Sequence, residues 1–163
     1  MVVNQRWGPV WRRARRWMYR GGRPNRLARM LNRISAIQFA TGVLARPNWV
    51  TLEVRGRRTG RPVSLPVVVA DYQDGRYLVS MLGPEANWVR NVRAAGGRAV
   101  LRRRGREVVR LSEVPVTERA PILRRYLDLA PGARAHLPVD RDASLAEFER
   151  IAPSIPVYRV RRD

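Results

Sequence analysis

The chain has 163 residues, the length of a single domain with a substantial hydrophobic core, and its 45% hydrophobic content excludes wholesale disorder. Its 33 basic side chains are all arginine and outnumber 13 acidic ones, leaving a formal net charge of +20 that predicts an anionic partner. The absence of cysteine excludes disulfides, iron–sulfur clusters and thiolate zinc sites, and a single histidine argues against a catalytic metal.

The first 45 residues are predicted to form a basic helical leader. Over residues 6–20, apolar residues that include Trp7, Trp11 and Trp17 recur every three or four positions with arginines between them, which predicts an amphipathic helix. Two uses stay open for this helix, docking on protein or contact with an anionic membrane surface. Asn25 is placed to cap a second helix, ending near Gly42. Because no apolar run resembles an export signal or a membrane span, we expect a cytoplasmic protein.

From Trp49 onward the apolar period changes to two, which predicts strands. The predicted elements are strands 49–55, 63–70 and 76–81, a helix 87–95 closed by Gly96-Gly97, strands 98–103 and 106–114 around Arg104-Gly105, a helix 117–130, a short helix begun by a Ser144/Glu147 capping box, and a strand 157–160. Tight turns such as Asp74-Gly75 join successive strands. The pattern therefore favours an α+β protein with a six-stranded antiparallel sheet or barrel.

Residues 56–62 form the first candidate site, a loop of sequence Gly-Arg-Arg-Thr-Gly-Arg-Pro between two predicted strands. Glycines let backbone N–H groups approach an anion, and guanidinium groups bind phosphate through charge-assisted hydrogen bonds. The loop is neither a Walker loop nor a dinucleotide fingerprint. It predicts a phosphate site, with an ordinary hairpin of solvated charges as the alternative.

Residues 80–88 form the second candidate site, where a strand end leads into a helix N-terminus. Asn87 is alternatively a simple helix cap, and Trp88 a core residue. No serine lies in a nucleophile elbow or a Ser-His-Asp order, and His136 is expected in a loop. The acidic residues form no convincing acid–base pair.

Four segments together resemble the deazaflavin-dependent nitroreductase family of actinobacteria. They span about residues 46–114 and are 56–60, Leu65-Pro66-Val67, 80–83 and 88–94. The resemblance implies a split β-barrel over residues 46–163, like that of FMN-binding barrels, that binds coenzyme F420. It also implies an enzyme that transfers hydride from the reduced deazaflavin to a quinone-like, nitro or other conjugated small-molecule acceptor.

The resemblance also implies the residues of the site. The phosphate would be held by Arg57, Arg58, Thr59 and Gly60, with Arg61 in addition. The ring would lie against Pro66, Val67, Ser80, Met81, Gly83, Trp88 and Asn91. Apart from the resemblance, the candidates for contact with the acceptor are Trp88, Tyr126 and Tyr158. A hydroxyl of Ser80, the catalytic candidate, or of Tyr126 or Tyr158 could polarise the acceptor, and both tyrosines are alternatively core aromatics. No metal is expected.

Three further expectations stay open. The same barrel could bind FMN in place of F420. A basic nucleic-acid-binding module is the alternative from a different class, although no helix–turn–helix, zinc finger or RNP-like motif is recognisable. A homodimer is expected by analogy with related barrels.

Overall fold

A computed structural model of the protein describes residues 47–163. The predicted leader, with its helix over residues 6–20, lies outside the described residues, so its docking and membrane-contact alternatives stay predictions. Within residues 47–163, no helix is both long and apolar enough to cross a membrane.

Six strands and three α-helices form the described part of the chain. The strands are β1 (Trp49–Arg55), β2 (Pro62–Tyr72), β3 (Gly75–Val79), β4 (Arg98–Arg102), β5 (Arg106–Glu113) and β6 (Val157–Arg162). The helices are α1 (Asn87–Ala94), α2 (Arg119–Leu129) and α3 (Leu145–Ile151). The elements predicted from Trp49 onward are all present, with ends that differ by a few residues.

The strands form a closed barrel in the order β1-β2-β3-β6-β5-β4, and every neighbouring pair is antiparallel. This confirms the predicted six-stranded antiparallel barrel with flanking helices. β2 is longer than predicted because it serves two partners in turn. Residues 62–68 pair with β1, and residues 69–72 pair with β3.

Two hydrophobic clusters lie on the two faces of the curved sheet. One fills the barrel interior and includes Leu52, Leu78, Val109 and Tyr158. The other packs α2 and α3 against the outer face of β2 and β3, and it includes Tyr126. Alternation along each strand sends successive side chains to opposite faces, so both faces of β2 and β3 are apolar.

The capping box at α3 is confirmed, since the Ser144 N–H and hydroxyl both bond to Glu147 Oε2 at 2.9 Å. The alternative interpretation of Asn87 as a helix cap is wrong. Ala86 holds the N-cap position of α1, and the Asn87 side chain instead accepts a hydrogen bond from a neighbouring loop.

The turn between β2 and β3 consists of Gln73 and Asp74, because Tyr72 pairs with Gly75. Gln73 is the residue with positive φ, 49°. Gly75 begins β3, where a Cβ would clash with the ring of Tyr77. The predicted Asp74-Gly75 turn is therefore present but shifted by one residue.

The barrel has two distinct ends. The loop end comprises the β1–β2 loop (residues 56–61), the turn after β3 (residues 80–86) and α1. The mouth is the opposite end, where β1, β3 and β5 begin and β2, β4 and β6 end.

Candidate functional site

The β1–β2 loop is closed by its own backbone. The Gly56 N–H donates to the Arg61 carbonyl and the Gly60 N–H donates to the Gly56 carbonyl, each at 2.8 Å. Gly60 has a φ of 68°, in the left-handed region that favours glycine. A Cβ on Gly56 would lie 3.0 Å from the Arg61 oxygen. Both glycines of the predicted motif are thus needed for this tight loop.

Arg57 joins this loop to α1. Its guanidinium donates to Asn87 Oδ1 at 2.7 Å and to Asn91 Oδ1 at 2.9 Å, and its backbone N–H donates to Asn91 Oδ1 at 3.2 Å. Asn91 is 2% exposed. The structure therefore brings together Arg57 and Asn91, two residues of the predicted site, and adds Asn87. Their separation of 30 or more positions in the chain left no local signal for the contact.

The other arginines of the loop have different surroundings. Arg58 and Arg61 are exposed, and Arg55 at the end of β1 is exposed beside them. A Cβ on Gly60 would lie 3.4 Å from the Arg55 guanidinium, so that group covers the left-handed turn. Within residues 47–163 none of the three forms an ion pair. The sequence motif pointed to two of these cations and missed Arg55, which precedes it.

Thr59 is exposed at the tip of the loop. Its hydroxyl accepts the Arg61 N–H at 3.4 Å, a long hydrogen bond. The hydroxyl proton of Thr59 is therefore directed away from that contact.

Among residues 47–163, one edge of β2 beside this loop has no strand partner. Over residues 62–68 its ladder partner is β1, and pairing with β3 begins only at Val69. The Val69 N–H points toward β1, where it donates to the Asn48 carbonyl at 2.8 Å. Since N–H groups alternate along a strand, those of even-numbered residues face the open edge. Pro62 and Pro66 occupy two of these positions, so Ser64 supplies the N–H between them.

An apolar strip lies at the same end of the barrel. It is formed by three half-buried side chains that pack against the interior cluster, namely Leu65, Leu82 and Trp88. Val67 also packs against that cluster, but it pairs with Val50 at the start of β1 and so lies nearer the mouth. Val67 and Trp88 were predicted for the site, whereas Leu65 and Leu82 were not singled out. Met81 differs, because it packs against the outer cluster with α2 and α3.

Ser80 begins the turn that follows β3. Its hydroxyl donates to the Gly83 carbonyl at 2.7 Å, and the Gly83 N–H donates back to the Ser80 carbonyl at 2.9 Å. Ser80 is 1% exposed, and Gly83 has a φ of 82°. The Ser80 hydroxyl proton is thus used in the hydrogen bond that closes the turn.

Tyr158 lies inside the barrel at this end. Its ring meets the edge of Trp88 with centroids 5.5 Å apart, and its hydroxyl donates to Glu113 Oε2 at 3.3 Å. Burial, followed by the charge of Glu113, raises the pKa of Tyr158. Two predicted acceptor-site residues, Trp88 and Tyr158, are therefore in contact, and the phenol stays protonated at neutral pH.

Glu113 is the centre of a polar cluster. It also accepts hydrogen bonds from Arg93 at 3.0 Å and from Arg119 at 3.1 Å. Arg119 is 5% exposed and donates further to the carbonyls of Val114, Ala152 and Ile155. This buried arginine ties β5 to the segment that leads into β6.

Tyr126 lies apart from these residues. It is 5% exposed in the outer cluster, and burial raises its pKa to about 12. The structure does not bring it to Trp88 and Tyr158, which belong to the interior cluster. Within residues 47–163, no three histidine or acidic side chains are grouped so that they could hold a metal ion.

Comparison with known proteins gives structural matches only. The sequence matches no protein-family model and has no significant match among curated proteins. A solved structure of a protein of unknown function from Agrobacterium tumefaciens is similar with a TM-score of 0.54 and 17% identity, over 78% of this chain and 54% of that one. The chain thus spans about half the length of that protein.

Two further structures are similar. One is described as a domain-swapped dimer, with a TM-score of 0.52 and 15% identity over 83% of this chain and 96% of that one. The other is an F420-H2 dependent reductase, with a TM-score of 0.49 and 15% identity over 71% of this chain and 95% of that one. At these identities the similarity concerns the fold. The chain has a six-stranded split β-barrel fold.

Proposed function

We propose that the protein is an oxidoreductase that binds coenzyme F420 at the loop end and transfers hydride to a small conjugated acceptor. The observation that carries this proposal is an edge of β2 that has no strand partner within residues 47–163 and lies beside Arg58 and Arg61, which form no ion pair with those residues. An anion and a planar ring could therefore bind side by side there. The four sequence segments that resemble the deazaflavin-dependent family lie around the same region.

The loop chemistry fits the phosphate and the acidic tail of the coenzyme. Arg58 and Arg61 are exposed and have no acidic partner among residues 47–163, so their donors are available. Arg55 adds a third cation, and Thr59 adds a hydroxyl. Arg57 has another role in this proposal. It positions the loop, because its guanidinium is hydrogen-bonded to the two asparagines of α1.

The β2 edge and the apolar strip fit the ring. Backbone carbonyls of Pro62, Ser64 and Pro66 face the open edge together with the Ser64 N–H. These groups can hydrogen-bond to polar atoms on the rim of a tricyclic ring, while Leu65 and Trp88 offer apolar contact. Ligand sites commonly combine a largely apolar wall with a few placed polar groups.

The chemistry divides between the coenzyme and the protein. When bound, the reduced deazaflavin supplies the hydride. The residues of this chain bind, orient and exclude water, and such positioning alone can lower a barrier by about 7–11 kcal/mol. Trp88 and Tyr158 form the inner wall of the site. The Tyr158 phenol, neutral and hydrogen-bonded to Glu113, holds the Trp88 ring in position.

The test is a fluorescence-quenching titration of oxidised F420 at 0.15 M salt. Wild type is compared with R58S/R61S and with R159S/R161S, which also removes two exposed arginines without an ion pair to the described residues. We expect saturable binding that weakens at least about tenfold in R58S/R61S, because charge-assisted hydrogen bonds are lost. The control should stay within about twofold of wild type.

Two outcomes would overturn the proposal. Absence of saturable quenching at micromolar protein would remove F420 as the coenzyme. A flavin absorbance spectrum in the purified protein, or loop-dependent binding of FMN in the same titration, would replace F420 with FMN. Oxidation of F420H2 by a quinone, measured by recovery of absorbance, tests the reaction itself.

We also propose that the chain forms a homodimer. A solved structure of the same fold is described as a domain-swapped dimer. Light scattering coupled to size exclusion should give twice the chain mass of 18.8 kDa. A mass equal to one chain over the micromolar range would contradict this part of the proposal.

A further inference from the structure

The mouth of the barrel is lined by charged side chains, whereas the barrel interior is apolar. In five of the six strands, β2 to β6, an inward-facing hydrophobic residue near the mouth lies two positions away from a charged one. The pairs are Val69 and Asp71, Leu78 and Arg76, Leu101 and Arg103, Val109 and Glu107, and Val160 and Arg162. Because side chains two positions apart in a strand share a face, the charged members gather around the barrel axis.

The two acidic residues of this ring are already satisfied. Glu107 accepts two hydrogen bonds from Arg76, at 2.7 and 2.9 Å, and one from Arg162 at 3.3 Å. Asp71 accepts from Asn48 at 3.0 Å and from Arg125 at 3.4 Å. The pKa of Glu107 is lowered, chiefly by the hydrogen bonds from Arg76. Neither carboxylate is left to neutralise further cations.

Three other arginines of the mouth lack acidic partners. Arg103, Arg104 and Arg106 surround the β4–β5 turn at Gly105, and none forms an ion pair within residues 47–163. The Nε of Arg103 is also buried and has no hydrogen-bond partner in the described part of the chain. A buried donor without an acceptor is unfavourable, and a bound anion would relieve it.

These side chains surround a cavity of about 540 Å³. Val50, Val69 and Leu101 contribute an apolar floor, and the arginines form the rim. A volume in this range suits a small organic molecule. The combination of an apolar floor and a guanidinium rim matches a molecule with an apolar body and a phosphate group.

We infer that the mouth is a second binding site, for a small phosphorylated organic molecule. Arg103, Arg104 and Arg106 hold its phosphate, and the apolar floor receives its body. This site is separate from the coenzyme site, because its residues lie where β2, β4 and β6 end, opposite to residues 56–61. The inference therefore does not depend on the function proposed for the loop end.

The test is calorimetric titration with phenyl phosphate and, in parallel, with inorganic phosphate at 0.15 M salt. We expect phenyl phosphate to bind with one-to-one stoichiometry and at least threefold more tightly than inorganic phosphate, because only the ester reaches the apolar floor. R104S/R106S should weaken binding at least tenfold, because two of the three phosphate-binding guanidinium groups are lost. Both side chains are exposed, Arg104 in the turn and Arg106 at the start of β5, so they can be replaced without disturbing the core. R159S/R161S, which removes the same charge from the outer side of β6, should change it less than twofold.

Other variants separate this site from the coenzyme site. R103M, which removes the buried Nε donor, should weaken phenyl phosphate at least fivefold, while R58S/R61S should leave it unchanged. Equal weakening in R104S/R106S and R159S/R161S would show a general charge effect and overturn the inference. Loss of phenyl phosphate binding in R58S/R61S would assign the binding to the loop end and overturn it equally.

A single-stranded oligonucleotide provides a further arm. If it displaces phenyl phosphate and loses affinity in every double arginine variant alike, the mouth is part of a diffuse nucleic-acid surface rather than a small-molecule site. If it fails to displace phenyl phosphate, the small-molecule site is supported.

Discussion

The two ends of the barrel use arginine in opposite ways. At the loop end, the arginines nearest the core are hydrogen-bonded to the protein itself, Arg57 to α1 and Arg119 to Glu113 and three carbonyls, while the available cations are exposed. At the mouth, Arg76 and Arg162 occupy the acceptors of Glu107, and the available cations surround a cavity.

This difference shows that the arginines responsible for the net charge of +20 do not all have the same role. An arginine contributes to ligand binding only where the protein leaves its donors unoccupied. The hydrogen-bonded arginines hold the segments at each end together, and we expect the arginines without an acidic partner within residues 47–163 to be the ones that bind ligands. The predictions below test this division.

The largest effect is expected at Arg119. Replacing it by Met removes a buried cation and leaves three main-chain carbonyls without their donor, which should lower the free energy of unfolding by about 3 kcal/mol. Urea denaturation at neutral pH measures it. Arg124→Met on the same helix is the control, because Arg124 is exposed and should change stability by less than about 0.5 kcal/mol. Equal losses in the two variants would mean that the buried contacts of Arg119 contribute little.

The next effect concerns the Arg57 clamp. Asn91→Ala should cost about 2 kcal/mol, because it removes a buried acceptor of both the Arg57 guanidinium and its N–H. Asn87→Ala should cost less than about 1 kcal/mol, because that acceptor is exposed. The same denaturation experiment compares them. A larger loss for Asn87→Ala would contradict the assignment of Asn91 as the main anchor.

Acid pH should destabilise the protein through the mouth of the barrel, and alkaline pH should destabilise it through the loop end. The folded pKa of Glu107 is lowered, chiefly by the Arg76 hydrogen bonds, so its contribution to stability is complete above the ordinary pKa of 4.5 and is lost as pH falls further. The folded pKa of Tyr158 is raised, mainly by burial, so its contribution is complete below the ordinary pKa of 10.0 and is lost as pH rises further. Since the chain has no lysine or cysteine, tyrosines dominate the alkaline range.

Urea midpoints at pH 3.5, 7 and 10.5 should separate these contributions. Glu107→Gln should flatten the acid loss and leave the alkaline loss unchanged, and Tyr158→Phe should do the reverse. If either variant altered both limbs equally, the two ends would not titrate independently.

The smallest effect is expected for the ion pair between Arg125 and Asp71. Both side chains are well exposed, at 40% and 59%, so Asp71→Asn should change the free energy of unfolding by less than about 0.5 kcal/mol. A loss above about 1 kcal/mol would show that the mouth depends on surface ion pairs for its shape.

Local sequence patterns predicted most of the fold. Alternation identified all six strands, and the Ser144/Glu147 pair predicted the start of α3, because these signals act within a few residues. The glycines at positions 56 and 60 likewise predicted a tight loop between β1 and β2, and its role in phosphate binding stays a prediction. The shift of the β2–β3 turn by one residue shows the limit of such signals, since Gln73 and not Gly75 adopts the left-handed conformation.

Contacts between distant segments could not be predicted. The link from Arg57 to Asn91 spans 34 positions, and the mouth assembles the ends of six strands. Arg104-Gly105 was predicted as a turn, but nothing in its sequence indicates that four other strand ends meet it. The burial of the Ser80 side chain could likewise not be predicted, because it depends on the hydrogen-bonded turn to Gly83.

The prolines of β2 have a consequence for self-association. An unpaired strand edge with regular donors is a template on which another chain can add a strand. Pro62 and Pro66 remove two of the N–H groups that face this edge, and the exposed arginines beside it disfavour the addition of the same strand from another copy. The edge of β2 can therefore lack a strand partner within residues 47–163 and still be a poor template for aggregation.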